Sequence, residues 1–175
     1  MDPCRWPLHT APDLSRVVQA FANIPHSRLL GLRLDEIRHG SAAMSVPYDE
    51  RLIGNPNTRV LHSGVVTALL DTLCGLVVMS AVPDGTPLAT LDLRIDYLRP
   101  AAPDETICAW AECYKVTNSI AFARGSAFHR TRDDAIAHCT GTFMLGGAGF
   151  TTDPSKAPAG PGAAGGIAET GGQPC

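Results

Sequence analysis

The chain has no excess of positive charge, no paired-cysteine motif and no unbroken apolar run of membrane-spanning length, and each absence narrows its chemistry. Lys and Arg total 14 against 17 Asp and Glu, a formal charge of −3, so no basic patch is expected to attract nucleic acid. Cys4, Cys74, Cys108, Cys113, Cys139 and Cys175 are scattered without a C-x-x-C pair, which reads as small buried thiols rather than a zinc site. His138 and Cys139 are neighbours, but neighbours on a strand point to opposite faces, so no metal site is expected there. The best candidate for a membrane span carries Asp71 in its middle, so no membrane segment is expected. The N-terminus lacks a charged stretch followed by an apolar one, so it does not read as a secretory signal, and the cytoplasm is the expected location.

What is present suits one core. The 175 residues are 45% hydrophobic, a length and composition at which a single domain closes around one interior. Three segments are expected: residues 1–24 with a short helix, a main domain over 25–149, and a tail over 150–175. The tail is rich in Gly, Ala and Pro, has nothing to build a core from, and reads as disordered. Leu14, Val17, Val18 and Phe21 recur at helical spacing between Pro12 and Asn23, which predicts an amphipathic helix ending before Pro25.

Two strands are predicted over 31–38 and 41–48, separated by the turn-like pair His39 and Gly40. The loop "DERLIGNPNTRV" is poor material for helix or strand, and a long apolar helix over 61–80 follows it. Four more strands are predicted over 89–98, 106–117, 120–131 and 135–145. In the first of these Leu91, Leu93, Ile95 and Tyr97 share one face, and Asp92, Arg94 and Asp96 the other. No further helix is available for parallel crossovers, so an α+β fold is expected, a mostly antiparallel sheet wrapped around one helix.

That helix, "LHSGVVTALLDTLCGLVVMS", has two unlike sides. Near Asp71 lie Gly64, Thr67, Ala68, Cys74, Gly75 and Val78, nearly all small; opposite them lie Val65, Val66, Leu69, Leu73, Leu76 and Val77. A mid-helix Asp is either a structural group satisfied by an Arg or by backbone donors, or a catalytic carboxylate. The helix start favours the second reading, although plain capping by His62 and Ser63 would also explain it. His62, Ser63 and Gly64 occupy the turn whose backbone N–H groups lack intrahelical partners, where an oxygen gaining negative charge is stabilised.

With those residues in view, "GNPNTRVLHSGVVTALLDTLCG" and "ATLDLRIDYLRPA" resemble the hotdog-fold acyl-CoA thioesterases of the phenylacetate-degradation (PaaI-like) type, over about residues 24–146. In that family an acidic residue stands nine positions after a His, as Asp71 does after His62. The resemblance implies hydrolysis of an acyl-CoA thioester to a free acid and CoA, with no cofactor, since CoA is part of the substrate. It implies that Asp71 is the nucleophile or general base, that the Ser63 N–H polarises the carbonyl, and that His62 orders the helix entrance. Asn55 would position substrate or water, and Thr90 would hold the water near the acid across a subunit interface. Gly64, Asn57, Arg99 and Pro100 would contact the substrate. Ser63 departs from the family pattern, which has a glycine there. Two rivals stand beside this reading, a hotdog dehydratase or hydratase and a non-catalytic acyl-CoA binding module. The expected assembly is a homodimer or a dimer of dimers, since an edge strand over 89–98 needs covering.

Overall fold

The computed structural model describes residues 13–146, so the segment read as a tail lies outside the described residues. Helix α1 (Leu14–Ala22) is capped by Asp13, whose carboxylate accepts from the Ser15 N–H at 3.0 Å. It stops before Pro25 as expected, but a second helix that periodicity did not reveal, α2 (Pro25–Leu29), starts there with proline at its first position. Proline suits that position because the missing N–H has no intrahelical partner to lose.

Strands β1 (Arg33–Arg38) and β2 (Ser41–Val46) form the first hairpin, turning at Gly40 with φ of +73°. The loop expected to carry neither helix nor strand instead holds a 3-10 turn (Glu50–Leu52) and a small hairpin, β3 (Ile53–Asn55) with β4 (Val60–Leu61). Helix α3 (Ser63–Met79) follows, then β5 (Leu88–Tyr97), β6 (Ile107–Val116), β7 (Ile120–Phe128) and β8 (Ala135–Leu145). The main sheet is antiparallel throughout in the order β1-β2-β6-β7-β8-β5, which leaves β1 and β5 as its edges.

Helix α3 packs against β2, β5, β6, β7 and β8. Close approach is possible because these strands bury small side chains: Ala42, Ala109, Ala111, Ala121, Ala123 and Ala127. Into that shallow bed α3 sets Leu69, Leu73 and Val77, each fully buried and each contributing about 1.5–3 kcal/mol by leaving water. All six residues expected on its bulky side are buried, and so are Leu70, Cys74 and Val78. The small-residue side is the more open one: Gly64 and Thr67 are exposed, and Ala68, Asp71 and Gly75 are half-buried. Cys74 and Val78 on this side are buried, with the Cys74 thiol 3.7 Å from that of Cys139 on β8. That contact, together with burial, pushes the Cys74 thiol well above its usual range. Helix α1 belongs to the same interior, since its Val17 is buried in the core.

Candidate active site

Construction of the site starts in the hairpin before α3. The His62 N–H donates to the Leu52 carbonyl at 2.8 Å, which lays the β3–β4 hairpin against the helix entrance. Gly54 is the closest point of this contact, because a Cβ there would lie 2.7 Å from His62 Cα and 3.1 Å from His62 N. Those are backbone atoms, which cannot swing aside. We expect Gly54→Ala to destabilise the fold by about 1–3 kcal/mol and to disturb the site, as overpacking does. Denaturant unfolding checks this, and wild-type stability with wild-type turnover would refute it.

Held in this way, His62 caps α3 with an extended backbone, φ −60° and ψ 134°, and its Nδ1 accepts from the Gly64 N–H at 2.9 Å. An accepting Nδ1 places the proton of the neutral ring on Nε2. Gly64 is thereby removed from the set of free donors. The Ser63 N–H is at the first helical position, and among the described residues nothing accepts from it. One exposed N–H at the positive end of a seventeen-residue helix is thus available to an incoming oxygen.

Two turns along, Asp71 is half-buried and its Oδ1 accepts from the Thr90 hydroxyl at 3.2 Å. This corrects the expected geometry, in which Thr90 would reach the acid across a subunit interface: the contact is made within one chain. Strict alternation along β5 would also send Thr90 to the opposite face, together with Asp92 and Arg94. A β-bulge changes that. Thr90 pairs with Phe143 and Asp92 with Thr142, so Leu91 is an extra residue and Thr90 turns to the α3 side.

Tyr97, at the other end of β5, is a site residue that the sequence reading assigned only to an apolar strand face. Its hydroxyl donates to the Ser63 carbonyl at 2.9 Å and lies 2.9 Å from the Thr67 hydroxyl. The Thr67 hydroxyl also donates to the Ser63 carbonyl at 3.3 Å, so the two hydroxyls and that carbonyl form one hydrogen-bonded triangle.

The remaining expected residues are arranged around this core. In the hairpin loop, Asn55 Oδ1 accepts from the Asn57 N–H at 3.0 Å, so the two asparagines brace one turn. Arg59 anchors that turn from φ of +58°, with Nη2 at 3.0 Å from both Glu50 and Asp104, and those carboxylates, Asp104 foremost, push its pKa up. The Arg99 guanidinium is held by the Asp134 carboxylate at 2.7 Å and donates to the Asp134 carbonyl. Pro100 follows it, its carbonyl 3.5 Å from Arg99 Nη1.

An unpaired backbone donor at a helix start and a carboxylate held by a hydroxyl, on one helix cradled by an antiparallel sheet, define a hotdog-fold thioester hydrolase. The chain belongs to the thioesterase superfamily, which it matches over residues 59–136. A putative esterase of Halobacterium salinarum is 32% identical over 118 residues, covering 65% of this chain and 76% of that one. YigI of Escherichia coli, a medium/long-chain acyl-CoA thioesterase, is 28% identical over 137 residues, covering 71% of this chain and 87% of its own. The solved structure of the E. coli PaaI protein, from the phenylacetic acid degradation operon, shares the fold with a TM-score of 0.68 at 18% identity, covering 77% of this chain and 94% of that chain.

Proposed function

We propose that this thioesterase hydrolyses acyl-CoA thioesters with medium or long acyl chains, using Asp71 to deliver oxygen and the Ser63 N–H to hold the oxyanion. The observation that carries the reading is that α3 holds both an unpaired N–H at its entrance and, two turns along, a Thr90-held carboxylate. The name of YigI supports the acyl-CoA class and the chain length. In one route Asp71 takes a proton from water while the water oxygen bonds to the carbonyl carbon. In the other, Asp71 itself bonds to that carbon, expels the CoA thiolate and leaves an anhydride for water to open. Both need only groups of this chain, and CoA enters as part of the substrate. A panel of acyl-CoAs with thiol detection tests the class: release from octanoyl- to palmitoyl-CoA is expected, and release confined to aromatic acyl groups would overturn the chain-length assignment. A hydratase would have to use the remaining His62 Nε2–H, and loss of enoyl-CoA absorbance without thiol release would reveal it.

The site also calls for a second copy of the chain. Eight residues of helical rise separate Ser63 from Asp71 by about 12 Å, whereas reacting atoms must approach to about 3–3.5 Å. Tyr97 covers Thr67 midway between them. A thioester whose oxygen meets Ser63 is therefore attacked by Asp71 of a second copy. Edge strand β5 is the natural seam. It exposes an unpaired backbone row with Leu91 and Tyr97 beside Asp92, Arg94 and Asp96, whereas the other edge, β1, carries Arg33, Asp35, Glu36 and Arg38 and no large exposed apolar side chain. The prediction is complementation. Inactive Ser63→Pro and Asp71→Asn chains, unfolded and refolded together, form hybrid dimers with one intact site, recovering about a quarter of wild-type turnover by statistical mixing. No recovery from a mixture shown to contain hybrids would refute the shared site.

Among the described residues no helix is long and apolar enough to cross a membrane. The four described cysteines are free thiols, which supports a reducing, cytoplasmic setting.

A further inference from the structure

We propose that Tyr97 is a positioning residue of the reaction: from strand β5 it aims the Ser63 N–H at the thioester oxygen. This role rests on the reading of the Ser63 N–H as the oxyanion donor.

The next peptide unit lies between Ser63 and Gly64. Its N–H is gripped by His62 Nδ1 at 2.9 Å and its C=O by the Tyr97 hydroxyl at 2.9 Å. Two side chains from different elements therefore fix one peptide plane at both ends. The peptide before it, which carries the Ser63 N–H, is joined to it through a single Cα and takes its orientation from it. Its own carbonyl, that of His62, accepts from the Val65 N–H at 2.9 Å, and its N–H has no partner in a preceding turn, so the neighbouring plane supplies the second constraint on its tilt. An oxyanion donor is effective only when aimed in advance at the place where charge develops, so this tilt matters to the rate.

Tyr97 is itself held. The Thr67 hydroxyl lies 2.9 Å from the phenol oxygen and 3.3 Å from the Ser63 carbonyl, to which Tyr97 donates, so it shares its one hydrogen between them. The chain Thr67 to Tyr97 to Ser63 thus runs from the second turn of α3 out to β5 and back to the first turn. Packing within one chain does not require it, because the Tyr97 residue is 46% exposed there. Phenylalanine would keep the ring and lose only the grip.

The test is Tyr97→Phe in the full chain, with thiol release from palmitoyl-CoA as the assay. We expect kcat to fall about tenfold with KM within about twofold, less than the loss from deleting a donor outright, since the N–H remains but is poorly aimed. Thr67→Ala should cost less, and the double variant no more than Tyr97→Phe alone, as members of one chain of bonds are not additive. A spectroscopic readout separates aiming from mere folding. The infrared carbonyl stretch of palmitoyl-CoA bound to Asp71→Asn protein should shift to lower frequency than in water, and adding Tyr97→Phe should return it toward the value in water. Wild-type kcat in Tyr97→Phe, an increase in KM alone, or an unchanged carbonyl stretch would each overturn the role. If Asp71→Asn is inactive while Tyr97→Phe is unaffected, only the Tyr97 role fails. If Asp71→Asn keeps its turnover, the reading of the whole site falls with it.

Discussion

Replacing Asp71 by asparagine abolishes acyl-CoA hydrolysis, lowering kcat by about three orders of magnitude or more, because the amide is neither a nucleophile nor a base. Asparagine has nearly the same shape, and its Oδ1 can still accept the Thr90 hydroxyl that Asp71 accepts at 3.2 Å. The position is half-buried rather than sealed, so no buried charge is stranded when the carboxylate is lost. Thermal unfolding of the variant should therefore stay close to wild type while thiol release disappears. Turnover within a fewfold of wild type would remove Asp71 from the mechanism. The same residue can reveal the anhydride route: in a single turnover in labelled water, solvent oxygen appears in Asp71, and the existing Asp71 oxygen in the product acid, when water opens the anhydride at the Asp71 carbonyl. The base route puts the solvent oxygen directly into the product.

Ser63→Pro should be nearly as damaging, with a loss of about 10²–10³ in kcat, the range typical of removing one oxyanion donor. A backbone donor is ordinarily beyond the reach of mutation, and the position of Ser63 makes an exception. It is the first residue of α3, where proline is favoured because its missing N–H has no intrahelical partner. The preceding residue must be extended for a proline to follow, and His62 already is, at φ −60° and ψ 134°. The substitution therefore deletes the donor and leaves the helix. Ser63→Ala and Ser63→Gly keep the N–H and should retain turnover, which separates the backbone group from the serine hydroxyl. Unfolding temperature measured beside thiol release decides the matter: a stable, inactive proline variant with active alanine and glycine variants is the expected pattern. A proline variant within about fivefold of wild type would mean that the oxyanion is held elsewhere.

Legibility in the sequence followed the range of the forces involved. Helix α3 and strands β5 to β8 could be read because burial of one face imposes a period on the residues themselves. Helix α2 was hidden because Pro25, which ends one helix, also begins the next, and five residues are too few to show a period. Hairpin β3–β4 was hidden because Gly54 and Asn55 are turn formers by composition. They are drawn into pairing only by the contact between Gly54 and His62.

The candidate site divides along the same line. His62 caps α3, and Ser63, Gly64 and Asp71 lie on it, so the face each takes is a matter of 3.6 residues per turn, and the sequence alone determined it. The carboxylate faced the small-residue side, and the first turn faced an incoming oxygen, before any tertiary contact was known. Thr90 and Tyr97 are different, because both come from β5 and their direction depends on pairing with β8. One extra residue at Leu91 reverses the parity of the strand and brings Thr90 onto Asp71. The reach of Tyr97 to Ser63 likewise exists only once the sheet has packed on the helix. Local periodicity specified the reactive groups, and only the tertiary structure decided what holds them, because strand register is set by partners distant in the chain.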